Sequence, residues 1–134
     1  MEFASQEERA EYVRLFCEEA EEQLRILGEG LLALRRSPQK RELAYPPYRA
    51  AHTLKGSSGY LGFEQIGSLA LGVEQALKAV SEGRAPYTQA SDAALVEAVE
   101  ALYRLTRQVA RDGRDEDPKV AAAMERLRGL IREG

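Results

Sequence analysis

The chain has one histidine, one cysteine, no tryptophan and no asparagine among its 134 residues. Each scarcity excludes something. A lone cysteine, Cys17, cannot close an internal disulfide, so a cytoplasmic setting is the default expectation. One histidine and one cysteine cannot assemble a zinc site, which normally needs three or four ligands. No apolar run approaches the roughly 20 residues that span a bilayer. No apolar segment follows Met1, so no signal peptide is expected. Lysine and arginine are not clustered, and the net charge is only −3, so no nucleic-acid footprint is visible. There is no Gly-rich nucleotide motif and no Walker-type loop. Arginine far outnumbers lysine, which together with the missing asparagine suits a thermophile, though a GC-rich genome gives a similar bias.

What is present is helical periodicity. Apolar residues recur at steps of three and four over long segments, broken by Gly, Pro and Ser clusters. Helices are predicted at about 5–36, 42–60, 64–81, 91–111 and 118–132. The first carries Val13, Phe16, Ala20, Leu24, Leu27, Leu31 and Leu34 on one stripe and ends at Ser37-Pro38. Cys17 flanks that stripe as a small packing residue. The third carries Ile66, Leu69, Val73, Leu77 and Val80. The fourth, with Ser91 or Asp92 near its start, carries Leu95, Ala98, Leu102, Leu105 and Val109. Asp117-Pro118 reads as N-cap and first residue of the fifth, whose stripe is Val120, Met124, Leu127 and Ile131. Single-striped helices with short connections predict an all-α fold: an antiparallel up-down four-helix bundle with an additional C-terminal fifth helix. The whole chain reads as one domain.

His52 is on the wrong side of the second helix for a core role. At about 100° per residue, Leu43, Ala50, Leu54 and Leu61 form the apolar side, and His52 points roughly opposite. Gly56 and Gly59 follow on the histidine's face. A glycine in an exposed helix interior costs roughly 1 kcal/mol relative to alanine, so a bare strip of backbone beside an imidazole suggests close approach by another protein. Lys55, three residues on, can bring an ammonium near the ring. Glu74 is predicted at the edge of the third helix's stripe. There it can orient the imidazole through Nδ1, leaving Nε2 as a nucleophile, or it can pair with Lys78 at i+4 as an ordinary boundary residue. Leu71 is expected to be exposed.

The run Ala51-His52-Thr53-Leu54-Lys55-Gly56-Ser57-Ser58-Gly59-Tyr60-Leu61-Gly62-Phe63 resembles the signature of histidine-containing phosphotransfer (Hpt) domains. It is most like the N-terminal domain of CheA-type chemotaxis histidine kinases. Gly72-Val73-Glu74-Gln75-Ala76-Leu77 is similar to the family's glutamate segment, and Phe16-Cys17-Glu18-Glu19-Ala20 to its first helix. The resemblance implies that His52 accepts a phosphoryl group from a kinase's ATP-binding domain and passes it to an aspartate on a response-regulator receiver. It implies that Lys55 stabilises phosphohistidine, that Glu74 orients the ring, and that Gly56 and Gly59 give the partner access. ATP and Mg2+ are then expected on partner domains and no cofactor on this one, and the isolated domain is expected to be a monomer and not an enzyme. Two departures stand out. Leu71 occupies a position where many CheA-type domains carry a second histidine, and Pro46-Pro47 is unusual just before the phosphorylated helix; the two prolines can sit in its first turn, while a start near Glu42 would have them kink it. The competing readings are a phosphorylation-independent helical adaptor, and a small hydrolase or transferase with His52 as base; the second lacks a visible nucleophile.

Overall fold

Among the described residues five α-helices account for most of the fold, and their ends follow from local chemistry. A computed structural model describes residues 3–133, with side chains to residue 130. Helix α1 is Gln6–Arg36, α2 Tyr45–Leu61, α3 Glu64–Ser81, α4 Gln89–Asp112 and α5 Val120–Glu133. No strand occurs among the described residues.

The Ser5 hydroxyl caps α1 by accepting from the Glu8 N–H at 3.1 Å. Glu7 and Glu8 in its first turn and Arg35 and Arg36 in its last oppose the helix dipole. Its solvent face is laced by pairs such as Arg14–Glu18 and Arg25–Glu29, each 2.7 Å. The buried stripe of α1 is the predicted one, residue for residue.

The second helix starts later than the predicted residue 42. A short 3-10 turn, Arg41–Ala44, precedes it, and α2 proper begins at Tyr45. Pro46 and Pro47 therefore fall in the first turn, where their missing N–H groups have no intrahelical partner to lose. Pro47 is buried against α1 at Gly30, where an added Cβ would collide with the proline ring. At its other end α2 closes on Gly62, whose φ of 81° suits glycine. The Phe63 N–H bonds back to the Ser58 carbonyl at 2.9 Å, and the Phe63 ring packs 5.2 Å from Phe16. Leu43 and Leu61, predicted on the core side with Leu54, are only partly buried because they lie at the two ends of this segment.

Two further starts move. Helix α4 begins at Gln89, two residues before the predicted 91, because Thr88 is the cap: Thr88 and Ser91 exchange side-chain and backbone hydrogen bonds at 3.1 Å. Helix α5 begins at Val120 and not at 118. Asp117 still organises its entry, its carboxylate accepting from the Lys119 N–H at 2.9 Å, but the first residues form a turn before the helix proper. Val120 and Leu127 are buried and Met124 partly so, while the side chain of Ile131 lies outside the described residues.

The helices form a square. Each of α1 to α4 packs beside its two neighbours in the order α1, α2, α3, α4 and back to α1, and α5 lies over α3 and α4. Leu24, Leu27, Leu54, Leu69, Leu77, Leu95 and Leu102 are all but fully buried at the centre. Each such leucine stabilises the fold by about 1.5–3 kcal/mol. The α4–α5 loop is tied down as well. The Asp115 carboxylate accepts from the Ile66 N–H at 2.9 Å, near the start of α3, and the Gln65 side chain accepts from the Asp117 N–H at 2.7 Å. With α5 over α3 and α4, the outer faces of α1 and α2 stay open.

Candidate functional site

The core side of α2 is Pro47, Ala50, Ala51, Leu54 and Ser58, so the phase of the helix turns His52 outward. Its side chain is 57% exposed. Across the α2–α3 seam, Glu74 is buried, next to Val73 in the core stripe of α3. Its two carboxylate oxygens divide their work. Oε1 is hydrogen-bonded to Nδ1 of His52, and Oε2 takes the Lys55 ammonium at 3.0 Å. The carboxylate is thus spent on α2 and is not the i+4 partner of Lys78.

Burial by itself pushes the Glu74 carboxyl up, but the hydrogen bonds from His52 and Lys55 and the charge of Lys55 outweigh it. The group is held below the usual carboxylate range. A carboxylate can only accept, so the shared proton belongs to Nδ1. In the neutral ring that leaves the lone pair on Nε2. The arrangement offers a solvent-facing nitrogen nucleophile with a fixed tautomer and a cation one turn away.

Two sets of helical glycines contrast in what a side chain would meet. At Gly56 and Gly59, on the exposed side of α2, an added Cβ would meet nothing within 4 Å. At Gly30 it would strike Pro47, at Gly67 it would lie 3.2 Å from the Ser58 hydroxyl, and at Gly72 3.1 Å from Leu127. The second group lets helices approach one another. The first has no such internal reason.

Two contacts near the site were not read from the sequence. Gly30 matters only through a proline on another helix. Tyr48, one turn before His52, packs its ring 6.5 Å from the imidazole, and the signal available was an aromatic at i−4. Leu71 is 39% exposed, one turn before Glu74. Cys17 is partly buried against the core, and burial pushes its thiol up, away from reactivity. Ser58 is buried with its hydroxyl on the Lys55 carbonyl, and Ser57 donates to Glu19 at 2.6 Å. An apolar cavity of about 190 Å³, lined by Ala76, Val80, Pro86, Leu95 and Leu130, touches none of His52, Lys55 and Glu74. Among the described residues no cluster of three or more His, Cys, Asp or Glu could hold a metal ion, and no helix is long and apolar enough to cross a membrane.

The structure defines a class: helical bundles that display a single, carboxylate-paired histidine on their surface. The family model for the Hpt domain matches residues 11–129, and the chain belongs to that family. Among curated relatives, the chemotaxis protein CheA of Halobacterium salinarum is 30% identical over 123 residues, and that of Bacillus subtilis 30% over 117. These alignments cover 92% and 86% of this chain but only 18% and 17% of those proteins. Among solved structures, the phosphorylated P1 domain of CheA3 in complex with CheY6 from R. sphaeroides superposes with a TM-score of 0.85 at 26% identity, covering 92% of this chain and 98% of that one. The CheA phosphotransferase domain from Thermotoga maritima gives a TM-score of 0.72 at 29% identity, covering 75% and 96%.

Proposed function

We propose that this chain is a phosphocarrier in a two-component relay of the CheA type, with His52 as the carrier residue. The observation that carries the reading is the hydrogen bond of Nδ1 to Glu74 with Nε2 left facing solvent. In the first step Nε2 attacks the γ-phosphorus of ATP held with Mg2+ on a separate kinase domain. The N–P bond forms, the bond to the ADP oxygen breaks, and the Nδ1 proton stays shared with Glu74. The positive charge gained by the ring is stabilised by that buried carboxylate. In the second step an aspartate of a receiver domain attacks phosphorus, the N–P bond breaks, and the imidazole returns to its starting form.

Lys55 has a place in both states. It sits on Glu74 in the structure, and a turn of its flexible stem brings the ammonium to the phosphoryl oxygens. The domain is then a substrate and a donor, with no nucleotide site of its own, working as a monomeric cytoplasmic unit. Two facts about a relative support the reading: the R. sphaeroides domain is phosphorylated, and it is complexed with CheY6. The test is incubation with a CheA-type kinase domain and labelled ATP, followed by addition of a receiver. Label should enter the wild-type chain, be absent from His52→Gln, and leave on addition of the receiver. Equal labelling of His52→Gln would refute the assignment.

A further inference from the structure

Three rings follow one ridge of α2. Tyr45, Tyr48 and His52 are spaced by three and four residues and so stand in line along the helix. The Tyr45 and Tyr48 centroids are 6.0 Å apart with planes tilted by 40°, and those of Tyr48 and His52 6.5 Å apart and tilted by 36°. Both pairs fall in the range of favourable tilted ring contacts, the second toward its outer end. Tyr48 is partly buried and packed on the core, so its ring is anchored, and Tyr45 lies against it from the solvent side.

One hydrogen bond does not fix a ring. The contact with Glu74 holds Nδ1, but the imidazole can pivot about it and sweep Nε2 through an arc. A second contact that limits this pivot would fix the direction of Nε2. Gly56 and Gly59 cannot supply it, because they carry no side chain. Helical side chains lean toward the N-terminus of their helix, so the imidazole of His52 leans over the turn that bears Tyr48.

We propose that Tyr48 is a positioning residue for His52. Its ring blocks the swing of the imidazole toward the start of α2 and keeps Nε2 directed toward the open glycine side. Donor and acceptor then meet Nε2 from the same direction. The planar ring does this work, and the hydroxyl is dispensable. The consequence for phosphoryl transfer rests on the phosphocarrier reading; the restraint of the ring does not.

The test compares Tyr48→Phe with Tyr48→Ala by two measurements. The first is the order parameter of the His52 imidazole from relaxation of its ring C–H groups. The second is the rate of His52 phosphorylation by a CheA-type kinase at varied domain concentration. Tyr48→Phe should match wild type in both. Tyr48→Ala should loosen the ring and lower kcat by up to about a hundredfold, the scale of a misplacement of roughly 1 Å of a reacting atom, with KM little changed. Should Tyr48→Ala unfold in part, Tyr48→Leu keeps the apolar volume, removes the planar ring, and carries the same expectations. Wild-type ring order in the Ala or Leu variant overturns the proposal, as does a slower rate with ring order unchanged. Loosened ring order with no phosphorylation of His52 in any variant, wild type included, would uphold the restraint and contradict the phosphocarrier reading instead.

Discussion

Gly56 offers a sharp test of why α2 carries unsupported glycines. Replacing Gly56 with alanine adds one methyl group at a point where nothing lies within 4 Å, so no steric penalty offsets the gain. Alanine in a helix interior is better than glycine by about 0.8–1.0 kcal/mol in model systems, and by about 0.4–1 kcal/mol when the effect runs through the unfolded chain. For a domain of this size that raises the thermal midpoint by about 2–5 °C. The control is Gly30→Ala. It has the same intrinsic benefit, but its methyl group would overlap the ring of Pro47 on α2. Overpacking of that kind costs about 1–3 kcal/mol, so the midpoint should fall. Circular dichroism melts of the two variants beside wild type read both signs. The stability gained by Gly56→Ala also means that natural stability is being forgone at that position, and access by a partner is the reason offered. Gly56→Gln, which fills the space beside His52, should therefore slow discharge of the phosphoryl group to a receiver. A destabilised Gly56→Ala would show that the glycine serves the bundle itself. Undiminished transfer from Gly56→Gln would remove the access argument.

Three other outcomes are expected. Glu74→Ala should slow phosphorylation of His52 while leaving the helical spectrum intact; a wild-type rate would return Glu74 to the status of a boundary residue. Because the Glu74 carboxyl is held below its usual range, its pairing contributes stability that is full above the unfolded-state value of about 4.3 and is lost as pH falls through the lower folded-state value. Glu74→Gln should therefore flatten the acid limb of the stability curve, read from urea midpoints between about pH 2 and 6, and an unchanged limb would contradict the pairing. Asp115→Ala removes the acceptor of the Ile66 N–H near the start of α3 and should cost about 1 kcal/mol, as loss of a helix cap does; an unchanged midpoint would show that water replaces the carboxylate there.

The bundle was legible because its helices are long and single-striped. Every stripe residue predicted for α1, α3 and α4 is buried, since over four or more turns the 3.6-residue period has no competing reading. Helix starts were harder. Thr88 out-competes Ser91 for the cap of α4, and the reciprocal bond between the two is a property of the folded turn. The outward placement of His52 was legible from its phase, and its proposed role only from the motif around it. The reach of Glu74 to the His52 ring came from the family resemblance and not from periodicity. Its position beside Val73 placed it at the core edge, but which helix it faces depends on how α2 and α3 are rotated against each other. The same rotation brings Lys55 onto Glu74, a pairing that spacing along α2 could not show. Gly30 and Pro47 explain each other across two helices, so neither was interpretable alone.

The most direct measurement is to locate the phosphoryl group. The domain would be charged by a CheA-type kinase and examined by 31P and imidazole 15N NMR, with acid and base treatment of the product. The result predicted is a single phosphoramidate on Nε2 of His52, labile in acid and stable in base, that disappears when a receiver domain is added. Phosphate on the Nδ1 nitrogen would contradict the role given to Glu74. An acid-stable ester on Ser57 or Ser58 would contradict the phosphocarrier reading itself.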